Sequence, residues 1–228
     1  VKALAAALLL AAACTGDLDP PWQLDHDRII AVRASQPGLA PGQQARLDAL
    51  IGKKGDRISV AVPEGAMVVA PTSLADTLSR QGADWVVTAP SADRIDAARS
   101  ELKLAAGAPV PLQIGVAYGG GSLLGTKVIE LGTAADNPTL NDVMVNGADP
   151  GTSEIVFGKL DRLPLSVDAN DTDFDVTWLT SCGTMHDFDL PTAYLKIEDD
   201  DPTEGELALV VRDSHGGVAW RSWAIRAD

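Results

Sequence analysis

Cysteine is nearly absent from this 228-residue chain, which contains only Cys14 and Cys182. There is no Cys-x-x-Cys, and His26, His186 and His215 stand apart, so the spacings that hold zinc are missing. His186–Asp187–Phe188–Asp189 has metal-ligand residue types but is too sparse to define a site. Basic residues are scarce as well: 18 Lys plus Arg face 32 Asp plus Glu, a formal net charge of −14. That balance argues against nucleic acid and against an anionic lipid surface as partners. No G-x-S-x-G elbow is present to support a hydrolase nucleophile. The glycines of GGGSLLG lack the Gly-Lys-Ser/Thr of a phosphate loop and have strand-like runs on both sides, which makes them a hairpin. The apolar run Ala3 to Ala13 has eleven residues, short of the about 20 that a bilayer-spanning helix needs.

That short run is informative in its own right. Lys2 precedes it and three alanines end it, the basic, apolar and small order of a secretory signal. A buried core helix fits less well, because TGDLDPP follows immediately and the run has no polar face. The small residues before Cys14 resemble the lipobox of bacterial lipoproteins, with Ala11 where that motif usually has Leu and Leu10 one step further out. The resemblance implies that residues 1–13 are removed and that Cys14 carries a diacylglycerol. It also implies a bacterial envelope location, in the outer membrane because Thr15 rather than Asp follows the cysteine. Plain secretion and a structural role for Cys14 are the alternatives. With Cys14 acylated, Cys182 has no disulfide partner, and the fold must stand on packing.

After Cys14, 215 residues remain, enough for two domains. From Cys14 to Ala135 there are 11 Lys plus Arg against 13 Asp plus Glu, a net of −2; from Asp136 to Asp228 there are 6 against 19, a net of −13. The expected organisation is a signal peptide at 1–13, a Pro20–Pro21 tether over 14–27, a first β-sandwich at 28–135 and an acidic second one at 136–228. In the first half, IIAVRA (29–34), QARLDALI (44–51), RISVAV (57–62), PLQIGVAYG (111–119) and LLGTKVIELG (123–132) are β-type runs between Gly- and Pro-rich turns. Two helices are expected between them. One spans 73–82 with Leu74 and Leu78 on one face and Gly82 as its stop. The other spans 93–104 with Ile95, Ala98 and Leu102 on one face. In the second half, Leu163, Leu165 and Val167 alternate, as do Val176 and Trp178, and Leu207, Leu209 and Val211. This period of two describes sheets with one buried face and one wet face.

LSVDANDTDFDVTWLTSCGT followed by GELALVVRDSHGGVAW resembles the Ig-like or cadherin-like domains of bacterial surface proteins, over about residues 137–228. The resemblance implies that Trp178 is the core tryptophan and that Asp213 to Gly217 form a late hairpin; the first half is similar in kind. The fold class expected is all-β, two Ig-like sandwiches with a short helical insertion in the first.

Asp168, Asn170, Asp171, Asp173 and Asp175 crowd into eight residues and offer the alternating oxygens that Ca²⁺ accepts. Cadherin-like domains use such turns, and Asp136–Asn137–Pro138 resembles a cadherin inter-domain segment. The pattern lacks the Gly and the twelfth-position Glu of an EF-hand, and a solvated acidic turn is the competing reading. Trp220 and Trp223 are three apart on a strand, so both cannot face the core without a bulge. One is expected outside, against a protein partner, a glycan or the other domain. The function expected is a non-enzymatic, lipid-anchored binding or spacer module whose partner is an envelope protein or glycan. The alternative is a lipid-anchored hydrolase with a loop-built site.

Overall fold

A computed structural model of the chain describes residues 20–54, 57–169 and 174–228. Among these described residues, nine strands precede residue 132: β1 (Arg28–Ala34), β2 (Gly38–Leu39), β3 (Gln44–Gly52), β4 (Ser59–Ala61), β5 (Gly65–Ala70), β6 (Leu78–Gln81), β7 (Asp84–Thr88), β8 (Val110–Tyr118) and β9 (Leu123–Leu131). They form one sheet in the order β1-β3-β7-β6, with β4 added to β3, and a second in the order β2-β9-β8-β5. Eight more are described after it: β10 (Leu140–Val145), β11 (Ile155–Phe157), β12 (Arg162–Ala169), β13 (Asp175–Thr180), β14 (Thr184–His186), β15 (Thr192–Lys196), β16 (Glu204–Arg212) and β17 (Val218–Ala227). Their sheets run β10-β12-β15-β14 and β11-β17-β16-β13.

Lettered in chain order, with β4 as an extra strand after B, both halves have the same arrangement. A-B-E-D makes one sheet and A′-G-F-C the other, which is the Ig strand order. The short A′–G pairs, β2 with β9 and β11 with β17, are parallel, and the other strand pairs among the described residues are antiparallel. Each half packs its own core between its two sheets. Trp178, fully buried in the second, donates its indole N–H to the Leu190 carbonyl at 3.1 Å. Cys182 lies in that core, where burial pushes its thiol pKa up to about 11 and makes it an inert packing group.

The helical insertion is α1 (Ala92–Glu101), between β7 and β8, with Ile95 and Ala98 in the core. It ends three residues earlier than the 93–104 expectation and leaves Leu102 on the surface. Lys103 takes a left-handed φ of 56°, Leu104 N–H bonds Arg99 O and Lys103 N–H bonds Ser100 O. These bonds form a Schellman stop with Lys where Gly is usual. The helix expected over 73–82 does not form. Thr72–Thr77 is a short 3₁₀ turn and Leu78–Gln81 is β6, paired with β7. Gly82 does end an element, but at φ 64° it begins the two-residue turn between Gln81 and Asp84 rather than capping a helix.

One expectation about the strands is overturned. β16 is not wet on one side: Leu207, Leu209 and Val211 face the second core, and Ala208 and Val210 on the opposite face are also 0 % exposed. The first sandwich covers them.

Candidate functional site

The outer face of β13, β16 and β17 packs on the outer face of β1 and β3. Leu179, Ala208, Val210 and Val218 meet Ile30, Ala31 and Leu50, with Leu24 and the partly buried Ile58 and Trp220 at the margin. Leu24 is held there by backbone pairing, its N–H on Thr180 O at 2.8 Å, while Thr180 N–H bonds Trp22 O at 3.0 Å. The part of the expected tether that is described therefore lies along the edge of β13.

Polar side chains pin the rim of this junction. Asn137, in the segment joining the halves, donates to the carbonyls of Ala34 (2.8 Å) and Ser35 (3.1 Å) and accepts from Val218 N–H (2.9 Å). Asp213 folds the β16–β17 hairpin by accepting from His215 N–H and Gly217 N–H. Lys127 on β9 reaches across from the first sandwich and donates to the Gly216 carbonyl of that hairpin. Burial lowers the Lys127 pKa to about 8. Asp213 and Asp48 oppose that fall, and Arg212 and Arg33 add to it. Arg212 donates to Ile30 O at 2.8 Å, and burial lowers its pKa as well. Arg33 forms a two-pronged pair with Asp48 (3.1 and 2.6 Å) and lies 3.8 Å over the Trp220 ring. His215 Nδ1 stands 3.6 Å from Glu130. Beside the junction runs a groove of mixed charge, with Lys53, Lys54 and Arg57 facing Asp25, Glu204 and Glu206. Arg57 is 3.8 Å from Glu206, whose pKa burial raises.

The two tryptophans separate as their spacing requires. Trp223 is buried in the second core with its indole N–H on Gly151 O at 2.9 Å, so it has no surface to offer a partner. Trp220 points outward into the junction. Of the acidic turn, Asp168 and Asp175 are exposed at the ends of β12 and β13, and Asp175 partly offsets the lowering that burial imposes on the pKa of Arg212, its strand partner. Asn170, Asp171 and Asp173 lie outside the described residues, as does Cys14. Among the described residues, no three of His, Cys, Asp or Glu gather as a metal cluster. His26 pairs with Asp25 at 2.7 Å, and His186 stacks on Tyr194 with ring centroids 4.3 Å apart.

Sequence reasoning passed over Lys127 and Arg212 entirely and assigned Asn137 to a different role. A signal for the junction, though not for these side chains, was available. IIAV, ALI and LALVV are unbroken apolar runs, and unbroken runs belong to strands buried on both faces.

The strand order and this buried face define a tandem Ig-like protein. No family model matches the chain, and no curated protein matches it. Among solved structures it is similar to the two tandem V-type regions of VCBP3, a v-region-containing chitin binding protein (10% identity, 87% of this chain, 100% of that one, TM-score 0.36). The fibronectin(III)-like modules of CbhA from Clostridium thermocellum are similar at 13% identity, over 87% of this chain and 94% of that one, with a TM-score of 0.31. A nucleoside hydrolase-related hypothetical protein from Saccharophagus degradans aligns with 41% of this chain at 16% identity and a TM-score of 0.31; the match spans only 26% of that protein. At such scores it is the strand order, not these neighbours, that defines the class.

Proposed function

We propose that this chain is a non-enzymatic lipoprotein of the bacterial envelope, a rigid two-domain spacer or binding module held to the outer membrane through Cys14. The observation that carries the reading is the junction. A flexible linker would leave two Ig-like domains to reorient, whereas here β16 is buried on both faces and its rim is pinned by Asn137, Lys127 and Arg212. A body stiffened in this way suits holding a surface at a fixed distance from an anchor. The lipobox-like residues before Cys14 supply the anchor, and the net charge of −13 after Ala135 suits a domain kept clear of anionic headgroups. The partner proposed is an envelope protein or glycan.

The test is fractionation of cells producing the wild-type chain or Cys14→Ala. Wild type is expected with the outer membrane and the variant in the soluble fraction. A Cys14→Ala protein that still sediments with membranes would place the anchor elsewhere.

A further inference from the structure

The turn that ends β10 is built from Asn146 and Gly147. Both carry positive φ, 53° and 77°, and Val145 and Ala148 exchange backbone bonds across them at 2.8 and 3.2 Å, the two-residue hairpin turn that Asn-Gly favours. Both residues are exposed, and the space where a Gly147 side chain would stand is empty to 4 Å. The Asn146 N–H is tied to the Pro164 carbonyl at 2.8 Å. Among the described residues, the Asn146 carboxamide and the Gly147 N–H have no hydrogen-bond partner. An unengaged carboxamide therefore adjoins an unengaged backbone nitrogen, and that nitrogen belongs to glycine, which puts no Cβ in the way of ring closure and leaves the backbone free to turn.

We propose that Asn146–Gly147 is a site of spontaneous covalent modification, at which the second sandwich converts its own asparagine to aspartate and isoaspartate. The Gly147 nitrogen attacks Cγ of Asn146. A new N–Cγ bond forms, the Gly147 amide proton passes through solvent to the leaving group, and ammonia departs from a cyclic imide. Water then opens the ring. Opening at Cγ breaks the new bond and leaves aspartate; opening at the main-chain carbonyl breaks the original peptide bond and leaves isoaspartate, with the chain running through Cγ. The balance is carboxamide plus water to carboxylate plus ammonium.

The chain has four asparagines, and the other two described ones lack this combination. Asn137 precedes proline, which has no N–H to lose, and its carboxamide is bonded to Ala34, Ser35 and Val218. Asn141 is half-buried in β10 opposite Asp168, and it is followed by Asp142, whose Cβ crowds the ring. Asn170 lies outside the described residues. The turn leads directly to Asp149, which stands 3.6 Å from Arg221, and to Gly151, whose carbonyl receives the Trp223 indole N–H. Isoaspartate lengthens the main chain by one atom, which the bonded pair of Val145 and Ala148 cannot absorb in register, so the modified form loosens the cover over Trp223. The inference stands independently of lipidation and of envelope location.

The experiment is to hold the full chain, folded, in mildly alkaline buffer for increasing times. Its peptides are then mapped by mass spectrometry with electron-transfer fragmentation, which tells aspartate from isoaspartate. Asn146 is expected to lose its carboxamide at least tenfold faster than Asn137 or Asn141, with isoaspartate among the products. Asn146→Ser, which has no carboxamide, is expected to abolish the acidic species that wild type accumulates on ion exchange. Aged wild type is expected to melt below fresh wild type, and aged Asn146→Ser together with its own fresh form. An Asn146 that stays intact in the folded chain would overturn the proposal, and the same chain unfolded in urea shows whether the turn protects it. Modification spread evenly over the three asparagines, or an acidic species that forms equally in Asn146→Ser, would overturn it too.

Discussion

Lys127→Met separates a buried charge from the hydrogen bond it makes. Lys127 is 5 % exposed, and its pKa is lowered from 10.5 to about 8. The gap of about two and a half pH units corresponds to about 3 kcal/mol disfavouring the protonated side chain in the folded state. Between pH 8 and 10.5 the unfolded chain holds the Lys127 proton and the folded chain does not. Stability therefore rises with pH across that window through this residue, and below pH 8 the full penalty persists. Methionine removes the charge while keeping an unbranched apolar stem, and it leaves the Gly216 carbonyl without its donor, a loss of about 1 kcal/mol. At pH 7 the variant should be more stable than wild type by about 2 kcal/mol, and by pH 10.5 that advantage should vanish or reverse. Urea unfolding of both proteins at the two pH values gives the difference directly, since other titrating groups cancel between them. A Met variant destabilised equally at both pH values would show that Lys127 sits in the junction without a charge penalty, and the reasoning would fail.

Trp178→Ala should lower unfolding free energy by about 3–5 kcal/mol, the usual range for a buried large aromatic; a loss under about 1 kcal/mol in urea would mean that Trp178 is not packed in the second core. Asn137→Ala strands two carbonyls and the Val218 N–H, so about 1–3 kcal/mol should be lost. Faster amide exchange at Val218 is the specific sign, and unchanged exchange there would deny Asn137 its clasp. The acidic turn is proposed to bind Ca²⁺ at the about 10⁻⁴–10⁻³ M typical of extracellular modules. Millimolar Ca²⁺ should therefore raise the thermal midpoint of the full chain, through an added stability smaller than the about 2.7 kcal/mol of a hundredfold excess over Kd. The rise should disappear in Asp171→Ala with Asp173→Ala, and equal midpoints with Ca²⁺ and with chelator would reduce the turn to a solvated loop.

The sandwiches were legible because a period of two is local. Leu163, Leu165 and Val167 lie on one face whatever the rest of the chain does, and so do Val176 and Trp178. The hairpin over GGGS was legible for the same reason, its turn and both strands being contiguous. Gly82 shows where local reasoning loses its hold. A glycine with positive φ ends a helix or opens a hairpin equally well, and the choice was made by β7 pairing with Leu78–Gln81. The junction was the least legible part. Ala208 and Val210 take their burial from Leu50 and Ile30, more than 150 residues earlier. The unbroken apolar runs announced a second covered face without saying what covers it. Lys127 gave no sign at all, since a lysine in an alternating strand normally points to water.

Whether the two sandwiches move as one body is open to direct measurement by residual dipolar couplings on the full chain in a dilute aligning medium. A single alignment tensor should fit the amides of β1 to β9 and of β10 to β17 together, and Val210→Asp, which puts a charge into the covered face, should split it into two. Two unrelated tensors in the wild-type protein would contradict the account, leaving a flexible pair of Ig-like domains in place of a rigid module.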